Sequence, residues 1–210
     1  MKELKWRSEE LALIKKSTVM QDSTPEMRAV MRRYAVPAFY SLWEGFVYFI
    51  FNKYIDIINK SRKKIIKVNS NIVRHVMCGM YELRQDTKDK DKQKLTLAHI
   101  SRSFRMPIVV PDIVPTASNV DYAQLKKILS AYGLDWPGVS IYEGTMGEFM
   151  NFRHGVAHGN MAFRDVDTDR LSRFATLIDD LMNDLLTRVD AGVQNKDYLK
   201  DPFGDLVGSL

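Results

Sequence analysis

The sequence has one cysteine, Cys78, in 210 residues, so no disulfide can close within the chain. A lone thiol is usual in a reducing compartment, and the expectation is a cytoplasmic protein. With 7 prolines and 11 glycines it is neither collagen-like nor a low-complexity chain. Long hydrophobic runs are missing as well. The most apolar window, Tyr34 to Phe51, contains Pro37, Glu44 and Gly45, and its unbroken part runs only from Phe46 to Phe51. That is too short for a bilayer, so a buried helix is expected and no membrane partner. The opening MKELKWRSEE has charges where a secretion signal needs an apolar core. There is no glycine-rich phosphate loop with its lysine, no paired-cysteine zinc pattern and no nucleophile elbow, which removes the commonest enzyme signatures. Internal repeats and alternating strand patterns are absent too.

What is present describes an ordinary folded domain, with 45% hydrophobic and 27% charged residues and a mean hydropathy of −0.25. The formal charge is +5, which permits an anionic partner without requiring one. Basic side chains outnumber acidic ones two to one over residues 1–85, and the balance reverses after residue 119. The densest basic group is Lys60, Arg62, Lys63, Lys64 and Lys67, with no acid among them. It reads either as a solvated helix end, where cations suit the dipole, or as an RNA-binding patch.

The periodicity is helical nearly throughout. Lys2 to Lys16 forms one helix. Thr24-Pro25-Glu26 starts another with a capping hydroxyl, a proline at the first position and a carboxylate near the positive dipole end. It runs to about Lys60, with Pro37 as a place to bend. Further helices are expected over Asn71–Gln85, Leu95–Phe104, Val120–Tyr132 and Tyr142–His158, the last two ended by Gly133 and Gly159. The run DTKDKDKQK from Asp86 to Lys94 reads as an exposed turn, and Met106–Ser118, with Pro107, Pro111 and Pro115, as a loop. A last helix, capped by Asp167 or Thr168, carries Leu171, Phe174, Ile178, Leu181 and Leu185 at spacings of 3 and 4, for the core or for a partner helix. The expected architecture is all-α, an antiparallel bundle with a proline-rich loop insertion. It forms one domain over residues 1–191, with an N-terminal helix and linker to 24 and a core from 25. Residues 192–210 read as a flexible tail.

Chemistry concentrates at Asn151-Phe152-Arg153-His154-Gly155-Val156-Ala157-His158-Gly159-Asn160, which holds two of the four histidines. Three readings fit. His154 and His158, four apart, share a helix face as zinc pairs do, but Gly155 stands where a metallopeptidase has its glutamate, and no third ligand follows. A structural reading has the histidines favoured by the helix C-terminus, Gly159 as its left-handed cap, and Arg153 paired with a carboxylate such as Glu44. The third is phosphate chemistry. A histidine can move protons near neutrality, and an arginine fork can stabilise charge growing on phosphate oxygens. Five residues along a helix turn through about 140°, so the two side chains splay and a second, facing copy would complete the cleft. Cys78, in VMCGM, reads as a core residue rather than a nucleophile.

These residues resemble a known family. Arg153-His154-Gly155-Val156-Ala157-His158-Gly159 is similar to the Arg-x4–6-His motif of the HEPN superfamily of helical ribonucleases, often written Arg-Asn-x-x-Ala-His-Gly. The segment from Tyr34 to Phe46, with Trp43-Glu44-Gly45-Phe46, resembles the early helix of the RiboL-PSP-type HEPN proteins. The likeness covers roughly residues 25–190. It implies a metal-independent endoribonuclease with no cofactor, in which His158 is the general base or acid and Arg153 positions the scissile phosphate. The products would be a 2′,3′-cyclic phosphate and a 5′-hydroxyl. His154 replaces the more usual asparagine and adds a second proton carrier, and Glu44 would orient the arginine. One motif per chain implies a homodimer with a composite site. The family's occurrence in toxin–antitoxin and antiphage systems adds an antitoxin or immunity protein as an expected partner. The rival reading is a non-catalytic helical module for dimerisation, interaction or RNA binding.

Overall fold

A computed structural model describes residues 2–80, 94, 98, 101–112, 114, 116, 119–160, 162 and 166–199, without the side chains of residues 78–80. The expectations for Cys78, His99 and most of the Asp86–Lys94 run lie outside the described residues. The described elements are α1 (Lys2–Ser17), α2 (Pro25–Lys60), α3 (Ser70–Met80), α4 (Tyr122–Ala131), α5 (Glu143–Ala157) and α6 (Thr168–Gln194). Single 3-10 segments cover Ile65–Lys67, Pro137–Tyr142 and Asp197–Leu199. Among the described residues there is no strand, only an isolated antiparallel bridge between Lys64 and Pro107. The fold is all-α, as expected. No helix among them is long and apolar enough to cross a membrane.

Local chemistry sets the helix ends. The Thr24 hydroxyl accepts the Met27 N–H at 3.2 Å, capping α2 where Thr24-Pro25 predicts. Pro37 lies inside α2 and removes one backbone donor, yet the helix continues for its 36 residues. Of the two cap candidates for α6, Asp167 is the one that acts: its Oδ1 accepts the Arg170 N–H at 2.6 Å. That bond, first among the causes, holds the Asp167 carboxyl below the usual range.

The described chain sorts into two compact units. Unit 1 comprises residues 1–50, 116–125 and 137–187, and unit 2 comprises 51–115, 126–136 and 188–210. The core of unit 1 contains Val36, Phe39, Trp43, Phe46 and Val47 from α2, with Met146, Phe149, Phe174 and Ile178 from α5 and α6. Phe174 meets the rings of Phe149 and Phe152 edge-on at 5.2 and 5.6 Å. The stripe Leu171, Phe174, Ile178, Leu181 and Leu185 is at most 1% exposed, so it serves the core and is closed to a partner helix. α1 is pinned by the Ser8 hydroxyl, which donates to Asp179 Oδ1 at 2.6 Å. Arg7 is buried with its guanidinium over Trp6 at 4.2 Å, and it pairs with Glu3 at 2.5 Å.

Unit 2 is built on Phe51, Tyr54, Ile55 and Ile58 from the end of α2. The proline-rich segment is tied to it by backbone bonds. Ile65 N–H donates to Met106 at 3.1 Å, Ile108 N–H donates to Lys63 at 2.9 Å, and Asn59 brackets Val110 with bonds of 2.8 and 3.0 Å. Of the tail expected over 192–210, residues 200–210 lie outside the described residues; in the described part α6 continues to Gln194, and Asp197 and Tyr198 are buried. The reason is a buried ion pair: Arg188 Nη2 lies 2.8 Å from Asp197 Oδ2, with the carboxylate side chain only 3% exposed. Tyr198 adds an edge contact to Tyr54 at 6.3 Å. Asp197→Ala leaves the Arg188 guanidinium without that carboxylate and is expected to cost about 3 kcal/mol, measured by denaturant unfolding against wild type. A loss below half of that would mean that the pair does not hold this segment.

Candidate functional site

The site is built at the end of α5. Gly159 takes φ +73°, the left-handed region, and two bonds close the turn: Gly159 N–H to Val156 at 3.2 Å and Asn160 N–H to Gly155 at 2.9 Å. This is the Schellman arrangement, and it leaves His158 as the C-cap. His154, one turn earlier, is exposed like His158, and the two imidazole centroids stand 4.2 Å apart. They are a pair on one face, as their spacing of four requires. Among the described residues no group of three His, Cys, Asp or Glu side chains converges on a metal position.

Arg153 is half-buried on the same helix, with its guanidinium carbon 4.3 Å from the centre of the Tyr40 ring on α2. Glu44 does not reach the arginine as an ion-pair partner; no carboxylate among the described residues lies within 4.0 Å of it. Glu44 instead accepts the Tyr40 hydroxyl proton at Oε1, 3.0 Å away. Tyr40 Oη in turn accepts the Val120 N–H at 2.9 Å. The neighbouring acid on α5, Glu148, is engaged elsewhere: it pairs with Arg170 at 3.0 Å and Arg173 at 3.2 Å. Among the described residues Arg153 is thus a cation with no carboxylate in ion-pair reach, which suits an anionic ligand.

Unit 1 therefore brings together Arg153, His154, His158 and Glu44, with Tyr40 between arginine and glutamate. The other group, Lys60, Arg62, Lys63, Lys64 and Lys67, lies in unit 2 and is exposed at all five positions. Lys60 ends α2, Arg62 takes φ +49°, and Lys67 closes the following 3-10 turn. Tyr40 is the residue that the sequence did not single out. Its spacing of four from Glu44 is legible along the helix, whereas its contact with Arg153 joins positions more than a hundred residues apart.

With this geometry in place, comparison with known families is decisive: residues 2–190 match the RiboL-PSP-HEPN family. The chain belongs to the RiboL-PSP-HEPN family. No curated protein and no solved structure matches it. HEPN proteins are commonly ribonucleases, so membership directs attention to RNA as the substrate class. The match covers both the α2 segment around Trp43-Glu44-Gly45-Phe46 and the α5 end that carries Arg153 and His158.

Burial, and secondarily the Glu44 carboxylate, push the Tyr40 hydroxyl up to about 12, although its bond from Val120 acts in the opposite sense. The folded value lies above the unfolded one, near 10. The associated stability is then complete below about pH 10 and is lost as pH rises through about 12. Thermal melting of this HEPN protein across that window is expected to fall, and Tyr40→Phe is expected to flatten part of the decline. An identical alkaline slope in both proteins would remove Tyr40 from the account.

Proposed function

We propose that this HEPN chain is a metal-independent endoribonuclease. The observation that carries the reading is the end of α5, where a half-buried arginine stacked on Tyr40 and two exposed histidines occupy one helix terminus. Arg153 binds the scissile phosphate and stabilises the charge that grows on its oxygens. His158 takes the proton from the 2′-hydroxyl, whose oxygen attacks the adjacent phosphorus. The bond from phosphorus to the 5′-oxygen breaks, and the products are a 2′,3′-cyclic phosphate and a 5′-hydroxyl. A second histidine, His154 or the His158 of a second copy, delivers the proton to the leaving oxygen. The splay of about 140° between Arg153 and His158 supports a homodimer in which two such helix ends face one another. The exposed Lys60, Arg62, Lys63, Lys64 and Lys67 add a sequence-independent hold on the RNA backbone. A toxin or antiphage effector in the cytoplasm, restrained by an antitoxin or immunity protein, is the setting we propose for this activity.

The test is incubation of purified protein with total RNA in EDTA, with product ends mapped. Wild type is expected to leave cyclic-phosphate ends, and His158→Ala to slow cleavage by roughly 10²–10⁴-fold. Arg153→Ala is expected to slow it by on the order of 10²-fold or more. Equal cleavage by wild type and His158→Ala would sink the assignment, and activity lost in EDTA but restored by zinc would replace it with a metal mechanism. Replacing Lys63, Lys64 and Lys67 by alanine is expected to weaken RNA binding and reduce its salt dependence, read from binding isotherms at several salt concentrations. An unchanged salt slope would leave these lysines as a solvated surface.

A further inference from the structure

We propose that Tyr40 is a positioning residue for Arg153: its ring is the surface on which the guanidinium lies, and the Val120 N–H and the Glu44 carboxylate hold that ring in place. The inference rests on the ribonuclease reading of Arg153. Three distances support it. The guanidinium carbon lies 4.3 Å from the ring centre, which is stacking contact and within the range of cation–π attraction. The phenol oxygen is held from both sides, accepting from Val120 at 2.9 Å and donating to Glu44 at 3.0 Å. Tyr40 is 3% exposed and its bond from Val120 is buried, while the bond to Glu44 is partly buried.

The mechanical consequence follows from the chemistry of the groups. An arginine stem has many rotamers, and a half-buried arginine with no described carboxylate in ion-pair reach needs some other contact to select one of them. A flat ring restricts the guanidinium to one plane while leaving its N–H edge free for phosphate oxygens. A carboxylate placed directly on Arg153 would orient it too, but would occupy the same donors that the phosphate needs. Interposing Tyr40 separates the two jobs. Glu44 bonds the phenol and makes no ion pair with the arginine. The bond to a carboxylate also polarises the phenol, which makes the ring face a better surface for a cation.

The segment holding the ring has its own anchor, which supplies a control. Trp43, one turn along α2, is fully buried and donates its indole N–H to the Val120 carbonyl at 2.9 Å. Trp43→Phe therefore removes a buried bond to the same residue, and comparable packing, without touching the Tyr40–Arg153 contact. It separates loosened structure from lost positioning.

The experiment combines nuclear magnetic resonance with single-turnover cleavage. In wild type the Arg153 Nε–Hε signal, identified by its absence in Arg153→Lys, is expected upfield from the ring current. Cross-peaks from the Arg153 side chain to the Tyr40 ring protons are expected as well. Tyr40→Phe, which keeps the ring but loses both bonds that hold it, should keep a smaller shift, and Tyr40→Leu should lose the shift. At saturating RNA, Tyr40→Leu should cleave on the order of 10- to 100-fold more slowly, with a smaller change in RNA affinity. Tyr40→Phe should cleave at a rate between those of Tyr40→Leu and wild type, and Trp43→Phe should keep both signal and rate. A shifted signal or a full rate in Tyr40→Leu would overturn the proposal. Loss of the signal in Trp43→Phe to the same extent would do so too. If Tyr40→Leu does not fold, absence of the wild-type cross-peaks would overturn it and their presence would support it. If wild type cleaves no RNA, the ribonuclease reading fails, and the resonances alone decide whether Tyr40 holds Arg153.

Discussion

Burial of α2 is the constraint on which the other features depend. In unit 1, Val36, Phe39, Trp43 and Val47 lose all contact with water, and in unit 2 Phe51, Tyr54, Ile55 and Ile58 do the same. Each such side chain contributes roughly 1.5–3 kcal/mol when it leaves water, so the sum over α2 far exceeds any single polar contact in the molecule. That margin explains why Pro37 is tolerated inside the helix, where it removes a backbone donor.

Burial of this kind imposes polar debts, and the way they are met builds the site. Trp43 and Tyr40 each carry a polar group into the interior, and each needs a partner there. Both use one residue, Val120, whose carbonyl accepts from the indole and whose N–H donates to the phenol. The remaining phenol proton goes to Glu44, so the carboxylate expected to pair with Arg153 is committed to Tyr40. Arg153 is left as a cation stacked on a ring, beside exposed histidines at a helix end whose backbone is closed by Gly159. Membership of the RiboL-PSP-HEPN family points to RNA-related work for this chain.

Much of this was legible in the linear sequence because it depends on neighbours along the chain. Helix boundaries follow from Thr24-Pro25 and from Gly133 and Gly159, since caps are made within a few residues. The heptad-like stripe of α6 identifies one buried face by its spacing alone. The pairing of His154 with His158 follows from the same periodicity. What misled was composition used without context. Gly192 and the polar residues after it read as a tail, yet Asp197 is buried because Arg188 meets it there.

The sequence by itself determined the all-α class, the ends of the principal helices and the cluster of Arg153, His154 and His158 on one of them, because each is set by interactions a turn or so apart. Tertiary structure decided what those residues face. The α6 stripe turned inward to the core, Glu44 bonded to Tyr40 rather than to Arg153, and Arg153 came to rest on an aromatic ring. Such contacts join segments separated by many tens of residues. Which partner a charged or aromatic side chain meets then depends on how buried helices pack, and no local spacing encodes it.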